Sequence, residues 1–395
     1  MRRSARYLVP AAAAVLGLTA FSGLSAAATN DPLRPAQFGL DQVRAEQAWP
    51  TSTGAGAVVA VVDSGVDLQH PDLQGKLVPG ATFVGCGKNQ TVCGNGDWKG
   101  QDGVGQEPDS HGTHVSGIVA AATGNGIGIA GVAPDAKIMP LKALENGEGS
   151  FTEIAAAIRY AADNGAAVIN LSLGAGPGIQ ALTYTGVISD TTDAVAYARS
   201  KGVVVVAAAG NDFQFPLCGT PAFEDGALCV TATDKREAPA AYSNMGLKPD
   251  LQAVAAPGGS LLPLCGEDVV STVPAGTGRS SACSGYGTSY DEYAGTSMAS
   301  PHVAGVAALL AAQGRDDDQI LDVLLSTSRQ PVTGLRGVFT PNYGFGIVDA
   351  AAAVAAPGAG GGTGGGGTAS PAPTTTATAS PSPTPTKSPK GGGRK

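Results

Sequence analysis

Apolar segments that alternate with amphipathic helices constrain the fold of this chain more than any other feature. Residues 57–62 form a continuous apolar run, which is typical of a parallel strand covered on both faces. Similar runs follow at 138–141, 166–171, 203–208 and 228–232. Residues 152–163 and 193–201 carry apolar side chains at helical spacing and end near Gly165 and Gly202. This order predicts an α/β fold with right-handed crossovers, a parallel sheet and helices on both of its faces.

The two ends of the chain differ in composition from this central part. Residues 1–28 begin with three arginines, continue with an apolar run and end in small residues, which predicts a secretory signal peptide. A membrane anchor is less favoured because Pro10 and Gly17 interrupt the run. Residues 357–395 contain glycine runs, then Thr, Ser and Pro repeats with a basic end, which predicts a disordered tail. A short extension over 29–37 and one domain over 38–356 remain.

The composition excludes several classes of protein. Charged residues make up only 14% and hydrophobic residues 43%, so the chain is neither a coiled coil nor an acidic disordered protein. The net charge is −8, and both terminal segments carry cations without carboxylates, so the central part is still more acidic. An acidic body disfavours nucleic acid as a partner. No later stretch is long and apolar enough for a transmembrane anchor.

Six cysteines lie in the exported part of the chain. An even number outside the cell suggests disulfides, and six cysteines allow fifteen connectivities. The spacing favours pairing of neighbours, which would give Cys86–Cys93, Cys218–Cys229 and Cys265–Cys283. A zinc site is disfavoured because no Cys-x-x-Cys occurs.

Four polar motifs lie at the ends of predicted strands or at the starts of helices. Asp63-Ser-Gly follows the first strand, and Ala-Ala-Gly-Asn211 follows the run 203–208. His111-Gly-Thr-His leads into a helical segment at 118–122, and Gly-Thr-Ser297-Met-Ala-Ser-Pro opens a later helix. Active sites of parallel α/β sheets lie at the carboxyl ends of the strands, so we expect these side chains to meet there.

Together these motifs resemble those of the subtilisin-like serine peptidases, over nearly the whole folded unit. The chain order Asp63, His111, Ser297 is the order found in subtilisin. The resemblance implies a three-layer subtilisin-like fold and a secreted serine endopeptidase that needs no cofactor for catalysis. His111 would be the base for Ser297, Asp63 would orient the imidazole, and Asn211 would bind the oxyanion together with the Ser297 N–H.

The same resemblance implies how a protein or peptide substrate binds. One segment would pair with the substrate as an antiparallel strand, a second would lie on its other side, and a third would form a wall of the first specificity pocket. The segment that pairs with the substrate would be Ser172, Leu173 and Gly174, and the segment on its other side Gly147, Glu148 and Gly149. The pocket wall would be Ala208, Ala209 and Gly210. Because the last three are small and uncharged, we expect cleavage after large apolar residues and, because of Glu148, slow cleavage beside acidic ones.

A structural calcium site is a further implication of the resemblance. Asp72 matches a family ligand, and residues 123–129 resemble the family's ligand loop, with Asn125 supplying an amide oxygen. The carbonyl ligands would be those of Thr123, Ile127 and Ile129. The family's N-terminal glutamine ligand has no match, since Arg34 stands at that position with Gln37 nearby.

Other interpretations of these motifs are weaker. Gly-Thr-Ser297-Met-Ala nearly matches the Gly-x-Ser-x-Gly of lipases, but only His302 follows it, whereas such esterases place both acid and histidine after the serine. His114 and His302 are expected to be packed structural residues and His70 a loop residue. Two alternatives stay open: a narrow-specificity processing peptidase of secreted or surface proteins, and an inactive wall-associated binding protein, which the intact motifs disfavour.

The remaining expectations concern location and assembly. The short extension leaves no room for a folded propeptide, and in this respect the layout is similar to that of the mycosins. We expect an extracellular monomer. Its basic tail could contact anionic cell-wall polymers.

Overall fold

Seven strands form one parallel sheet in the computed structural model, which describes residues 29–85 and 110–358 except 180–181, 183–185, 187–188, 249, 263, 279–282 and 284. Their order across the sheet is β2-β3-β1-β4-β5-β6-β7. The strands are β1 (Val58–Asp63), β2 (Ala81–Thr82), β3 (Lys137–Lys142), β4 (Val168–Leu171), β5 (Val204–Ala208), β6 (Ala227–Thr233) and β7 (Ala253–Pro257). An antiparallel pair, β8 (Val269–Thr272) and β9 (Tyr290–Tyr293), precedes the segment that carries Ser297.

Helices cover both faces of the sheet in the described part of the chain. They are α1 (Phe38–Gln42), α2 (Ala45–Ala48), α3 (Ser110–Ala120), α4 (Phe151–Asp163), α5 (Asp190–Ser200), α6 (Thr296–Ala311), α7 (Asp317–Thr327) and α8 (Ala350–Ala355). Helix α4 begins with a capping box in which Ser150 and Glu153 satisfy each other's backbone N–H groups. It ends before Gly165, whose φ of 84° few other residues adopt without strain.

The side chains of each strand divide between two apolar layers. In β1, Val59 and Val61 pack toward α3 and α6, whereas Ala60 and Val62 pack toward α4 and α5. A strand buried on both faces must be apolar at nearly every position, which explains the continuous runs in the sequence. The predicted three-layer α/β fold is confirmed.

Elements that lack a long apolar run were not predicted from the sequence. Strand β2 has only two residues, and β9 includes Asp291 and Glu292 and is partly exposed. Strand β7 ends in Pro257 and consists mostly of alanine, which is a weak strand former. These elements depend on tertiary pairing rather than on local preference.

Two disulfides are present among the described residues, Cys218–Cys229 and Cys265–Cys283, in the predicted pairing. The first ties the loop after β5 to β6. The predicted Cys86–Cys93 bond and most of the tail lie outside the described residues. No helix of the described chain is long and apolar enough to cross a membrane.

Candidate active site

The end of β1 and the start of α3 bring Asp63 and His111 together. Nδ1 of His111 lies 2.7 Å from Oδ1 of Asp63, at hydrogen-bond distance. The Asp63 carboxylate is fully buried, whereas the imidazole is 29% exposed. One edge of the ring is therefore held by a buried carboxylate while His111 lines a cavity open to solvent.

This approach depends on the absence of a side chain at Gly112. A Cβ at position 112 would overlap the carbonyl oxygen of Gly65, in the loop that follows β1. The Gly112 N–H donates to Oγ of Ser64 at 3.1 Å, and Nζ of Lys142 donates to the Ser64 carbonyl at 2.9 Å. The loop after β1 is therefore fixed from α3 and from β3, which sets the position of Asp63.

The charge of Asp63 changes the acidity of His111. Burial alone would lower the pKa of the imidazole, but the charge of Asp63 and its hydrogen bond outweigh burial and raise the His111 pKa above the ordinary 6.5. The pKa values of His114 on α3 and His302 on α6 shift in the opposite direction. Burial lowers the pKa of His114 to about 3 and that of His302 to about 4. Of these three histidines, only His111 has a carboxylate partner among the residues that the structure describes.

The structure places His114 and His302 in packing roles. Nε2 of His114 reaches the carbonyls of Val269 (3.0 Å) and Asp291 (3.2 Å), and its ring stacks on Tyr293. His114 thereby joins α3 to both strands of the β8–β9 pair. Nδ1 of His302 bonds the Met298 carbonyl within α6 at 2.8 Å.

Ser297 lies in the first turn of α6 and faces the end of β4. Its hydroxyl donates to the Ser172 carbonyl at 3.1 Å, and the Ser172 hydroxyl donates to the Ser297 carbonyl at 2.7 Å. Ser172 lines the same cavity as Asp63 and His111. The serine predicted from the sequence thus lies beside the cavity wall that also holds the acid and the histidine.

Asn211 is held so that its amide nitrogen is available. Its Oδ1 accepts from the backbone N–H of Thr296 at 2.9 Å and from the Thr296 hydroxyl at 3.0 Å. A Cβ at Gly295 would lie 3.5 Å from Nδ2 of Asn211 and 3.6 Å from the backbone nitrogen of Ser297. Two N–H donors therefore border one small space beside Gly295, as binding of an oxyanion requires.

The cavity has a volume of about 570 Å³ and includes two of the three predicted substrate-binding segments, Gly147–Gly149 and Ser172–Gly174. Sequence reasoning missed its large apolar members, Leu144, Phe151, Ile154 and Ile179. Thr220 and Pro221, from the loop closed by Cys218–Cys229, complete part of the wall. The third segment, Ala208, Ala209 and Gly210, is not in this lining; it lies against that loop, where the Gly219 N–H donates to the Ala209 carbonyl at 2.7 Å.

The predicted calcium loop is organised around two buried carboxylates. Asp72 accepts from Nδ2 of Asn125 at 2.7 Å and from the Ile129 N–H at 2.9 Å. Asp31 accepts from the N–H groups of Gly124 and Asn125, at 2.8 and 3.1 Å. Burial raises the pKa of Asp72, because an ionised carboxylate is less stable in a buried position than in water.

Asp31 is the residue that sequence reasoning missed at this loop. Arg34, which stands at the matched position, instead pairs with Asp41 and Glu46. Gln37 bonds both the N–H and the carbonyl of Ala130 rather than the loop itself. An acidic residue just upstream of the matched segment was the available signal, but the chain path that brings it to the loop is visible only in the structure.

The chemistry of this loop fits a hard cation. The carbonyl oxygens of Thr123, Ile127 and Ile129 accept no hydrogen bond from any residue that the structure describes. Together with the carboxylates of Asp31 and Asp72 they form an oxygen-rich set, which is what Ca²⁺ prefers.

A parallel α/β/α sheet with Asp63, His111, Ser297 and paired N–H donors at its carboxyl edge is the arrangement of a serine endopeptidase. Residues 54–347 match the Subtilase family, and the chain belongs to that family.

Known proteins of this kind are similar over most of the chain. Thermitase of Thermoactinomyces vulgaris is 40% identical over 301 residues, which cover 76% of this chain and 91% of thermitase. A thermophilic serine proteinase of Bacillus sp. (strain AK1) is 40% identical over 294 residues, and the alignment covers 74% of this chain and 61% of that protein. A solved structure of a protease from Pseudoalteromonas arctica PAMC 21717 shares 34% identity at a TM-score of 0.65 and covers 83% of this chain and 98% of that one. The predicted family and the assignment as a serine endopeptidase are confirmed.

The raised pKa of His111 leads to a direct test with Asp63→Asn. Removing the charge leaves burial as the dominant influence, so the pKa of His111 should fall below its wild-type value. NMR titration of the imidazole signals measures this, and the His302 pKa, which burial sets, should stay unchanged as an internal control. A wild-type His111 pKa below 6.5, or an equal value in both proteins, would contradict the assignment.

Proposed function

We propose that the protein hydrolyses peptide bonds with Ser297 as nucleophile, His111 as general base and Asp63 as the residue that orients the imidazole. The observation that carries this proposal is the 2.7 Å contact between His111 Nδ1 and Asp63 Oδ1. With Nδ1 committed to the carboxylate, Nε2 is the nitrogen that can take a proton from serine.

The reaction proceeds through an acyl-enzyme. The Ser297 hydroxyl leaves the Ser172 carbonyl, gives its proton to Nε2 of His111, and its Oγ forms a bond to the scissile carbonyl carbon. His111 then donates that proton to the leaving amine as the C–N bond breaks. Water then attacks the acyl carbon and gives a proton to Nε2 of His111. His111 returns that proton to Oγ of Ser297 as the ester bond breaks and the carboxylic acid leaves. Throughout, Asp63 stabilises the imidazolium.

The negative charge of each tetrahedral intermediate falls on the former carbonyl oxygen. We assign its binding to Nδ2 of Asn211 and the N–H of Ser297, which border the space beside Gly295. Thr296 fixes the Asn211 amide before substrate arrives, so little reorganisation is needed. The loss of one such donor typically costs about 10²–10³-fold in turnover.

Substitution of Ser297 tests this mechanism. Ser297→Ala should lower kcat for peptide hydrolysis by several orders of magnitude and abolish labelling by a fluorophosphonate probe. Ser326→Ala, which changes an exposed serine on α7, is the matched control and should be labelled like wild type. Undiminished hydrolysis by Ser297→Ala would end the proposal, and absence of labelling in folded wild type would favour the alternative of an inactive binding protein.

The substrate backbone pairs with Ser172–Gly174, and Gly147–Gly149 contacts it from the cavity wall; both segments line the cavity. We propose a preference for large apolar residues before the scissile bond. The apolar side chains that line the cavity, such as Phe151 and Ile154, support it. Glu148 and Asp63 are acidic members of the lining, so acidic substrate residues meet repulsion.

A panel of peptides that differ only at the residue before the scissile bond tests this specificity. We expect the highest kcat/KM for Phe, Leu, Tyr or Met and the lowest for Asp or Glu. A preference for Arg, Lys or Asp would contradict the proposal. Cleavage confined to one extended sequence would instead favour a narrow-specificity processing peptidase.

We also propose that Asp31, Asp72 and the loop 123–129 bind a structural calcium ion, with carbonyls of Thr123, Ile127 and Ile129 and the amide of Asn125 as further ligands. The unbonded carbonyls and the buried carboxylates support this. The ion would stabilise the fold and takes no part in bond cleavage.

Thermal melting with and without calcium tests this site. A site filled at about 100 times its Kd adds about 2.7 kcal/mol, so a chelator should lower Tm by about 4 °C in a domain of this size. Asp31→Asn and Asp72→Asn should each reduce that difference, whereas Asp322→Asn, an exposed carboxylate on α7, should not. A calcium-independent Tm in wild type would refute the site.

We propose further that residues 1–28 direct export of the protein. Residues 29–37 then form a short extension and 38–356 the catalytic domain of an extracellular monomer. The basic tail, 357–395, contacts anionic wall polymers. The order of charge, apolar run and small residues supports export. N-terminal sequencing should find the mature chain starting after Ala28.

Deletion of 357–395 should release any wall-bound fraction without loss of peptidase activity, and loss of activity would assign the tail to the fold.

A further inference from the structure

A fully buried asparagine lies in the middle of the central sheet. Asn170 of β4 is paired in register with Val61 of β1 and Val206 of β5. An amide buried among apolar strands is costly unless both of its ends are hydrogen-bonded. Here Oδ1 accepts from the hydroxyl of Ser300 at 2.7 Å, and Nδ2 donates to the hydroxyl of Ser172 at 2.9 Å.

Helix α6 lacks a hydrogen bond next to these residues. In an α-helix the carbonyl of Ser297 would accept from the N–H of residue 301, four positions later. That residue is Pro301, which has no N–H and whose ring crowds this carbonyl. The Ser172 hydroxyl donates to the Ser297 carbonyl at 2.7 Å and so supplies the missing hydrogen bond from outside the helix.

Asn170 fixes the direction of this contact. Because Nδ2 of Asn170 donates to the Ser172 oxygen, the proton of the Ser172 hydroxyl is left for the Ser297 carbonyl. The Ser297 carbonyl can only accept, which commits the Ser172 proton to it and leaves the Ser172 oxygen to accept from Nδ2, while the Ser300 hydroxyl satisfies Oδ1. Hydrogen bonds therefore run in one direction from Ser300 through Asn170 and Ser172 to Ser297.

We propose that Asn170 and Ser172 are positioning residues that replace the helical hydrogen bond removed by Pro301 and thereby hold Ser297 in place. The inference rests on the proposed role of Ser297 as nucleophile. The contact is made to the carbonyl of Ser297, and the N–H of the same residue borders the space beside Gly295. A shift of the Ser297 backbone would displace the nucleophilic oxygen and an oxyanion donor together, so we expect the effect on turnover rather than on substrate affinity.

A double-mutant cycle between positions 172 and 301 tests this inference. In the wild-type background, Ser172→Ala removes the donor that replaces the Pro301 N–H at the Ser297 carbonyl, and we expect kcat to fall about tenfold or more with KM nearly unchanged. In the Pro301→Ala background a backbone N–H at 301 can bond that carbonyl again. There the same Ser172→Ala change should lower kcat less than about threefold.

Ser328→Ala is the matched control for stability. Its buried hydroxyl also donates to a helix carbonyl, that of Leu324, at 2.7 Å, but Ser328 lies at the C-terminal end of α7 rather than beside α6. It should change Tm and leave kcat near wild type. If Ser172→Ala does not fold, Ser172→Cys takes its place in the cycle, because a thiol fills the site but is only a weak donor.

The possible outcomes separate this inference from the proposed mechanism. An equal loss of kcat in both backgrounds, or a loss confined to KM, would overturn the positioning role while Ser297→Ala remained inactive. Full activity of Ser297→Ala would instead overturn the mechanism itself. Rescue by Pro301→Ala, a readout that general destabilisation would not produce, supports the inference.

Discussion

The hydrogen bond between Asp63 and His111 depends on how closely a helix can approach the end of a strand. Gly112 allows α3 to lie against the backbone of Gly65 in the loop after β1, where a side chain at position 112 would not fit. The carboxylate is buried at the end of the sheet and the imidazole extends into the cavity. The packing of α3 against this loop thus brings a buried carboxylate and a partly exposed imidazole to hydrogen-bond distance.

A second set of contacts ties the histidine helix to the strand that leads to the serine. His114 bonds the carbonyls of both β8 and β9, and the hydroxyls of Ser271 and Thr272 donate to the carbonyls of His114 and Thr113. Strand β9 ends at Tyr293, shortly before Ser297. Helix α3 and the start of α6 are therefore connected through the β8–β9 pair as well as through the main sheet.

Long apolar strands made two residues of this site predictable from the sequence pattern, whereas His111 and Ser297 on helices were predicted from their motifs. Asp63 ends β1 and Asn211 follows β5, whose continuous apolar runs mark where the polar residues begin. Asp31 could not be found in this way, because its place beside the loop 123–129 depends on the path of an irregular segment. The apolar lining of the cavity was missed for a related reason: Phe151 and Ile154 on α4 look like ordinary core residues until the helix is placed. The role of Asn170 likewise needs the register between β4 and α6.

The two described disulfides differ in their access to solvent, and this difference decides what a reductant can do to the enzyme. Cys218 and Cys229 are both completely buried, whereas Cys265 is exposed. Thiol exchange requires an attacking thiolate to reach sulfur, so Cys265–Cys283 would be opened first. The Cys218–Cys229 bond, which closes the loop with Thr220 and Pro221 at the cavity, would stay oxidised until the domain unfolds. The shape of the substrate cavity is therefore shielded from the redox state of the medium in which the enzyme works.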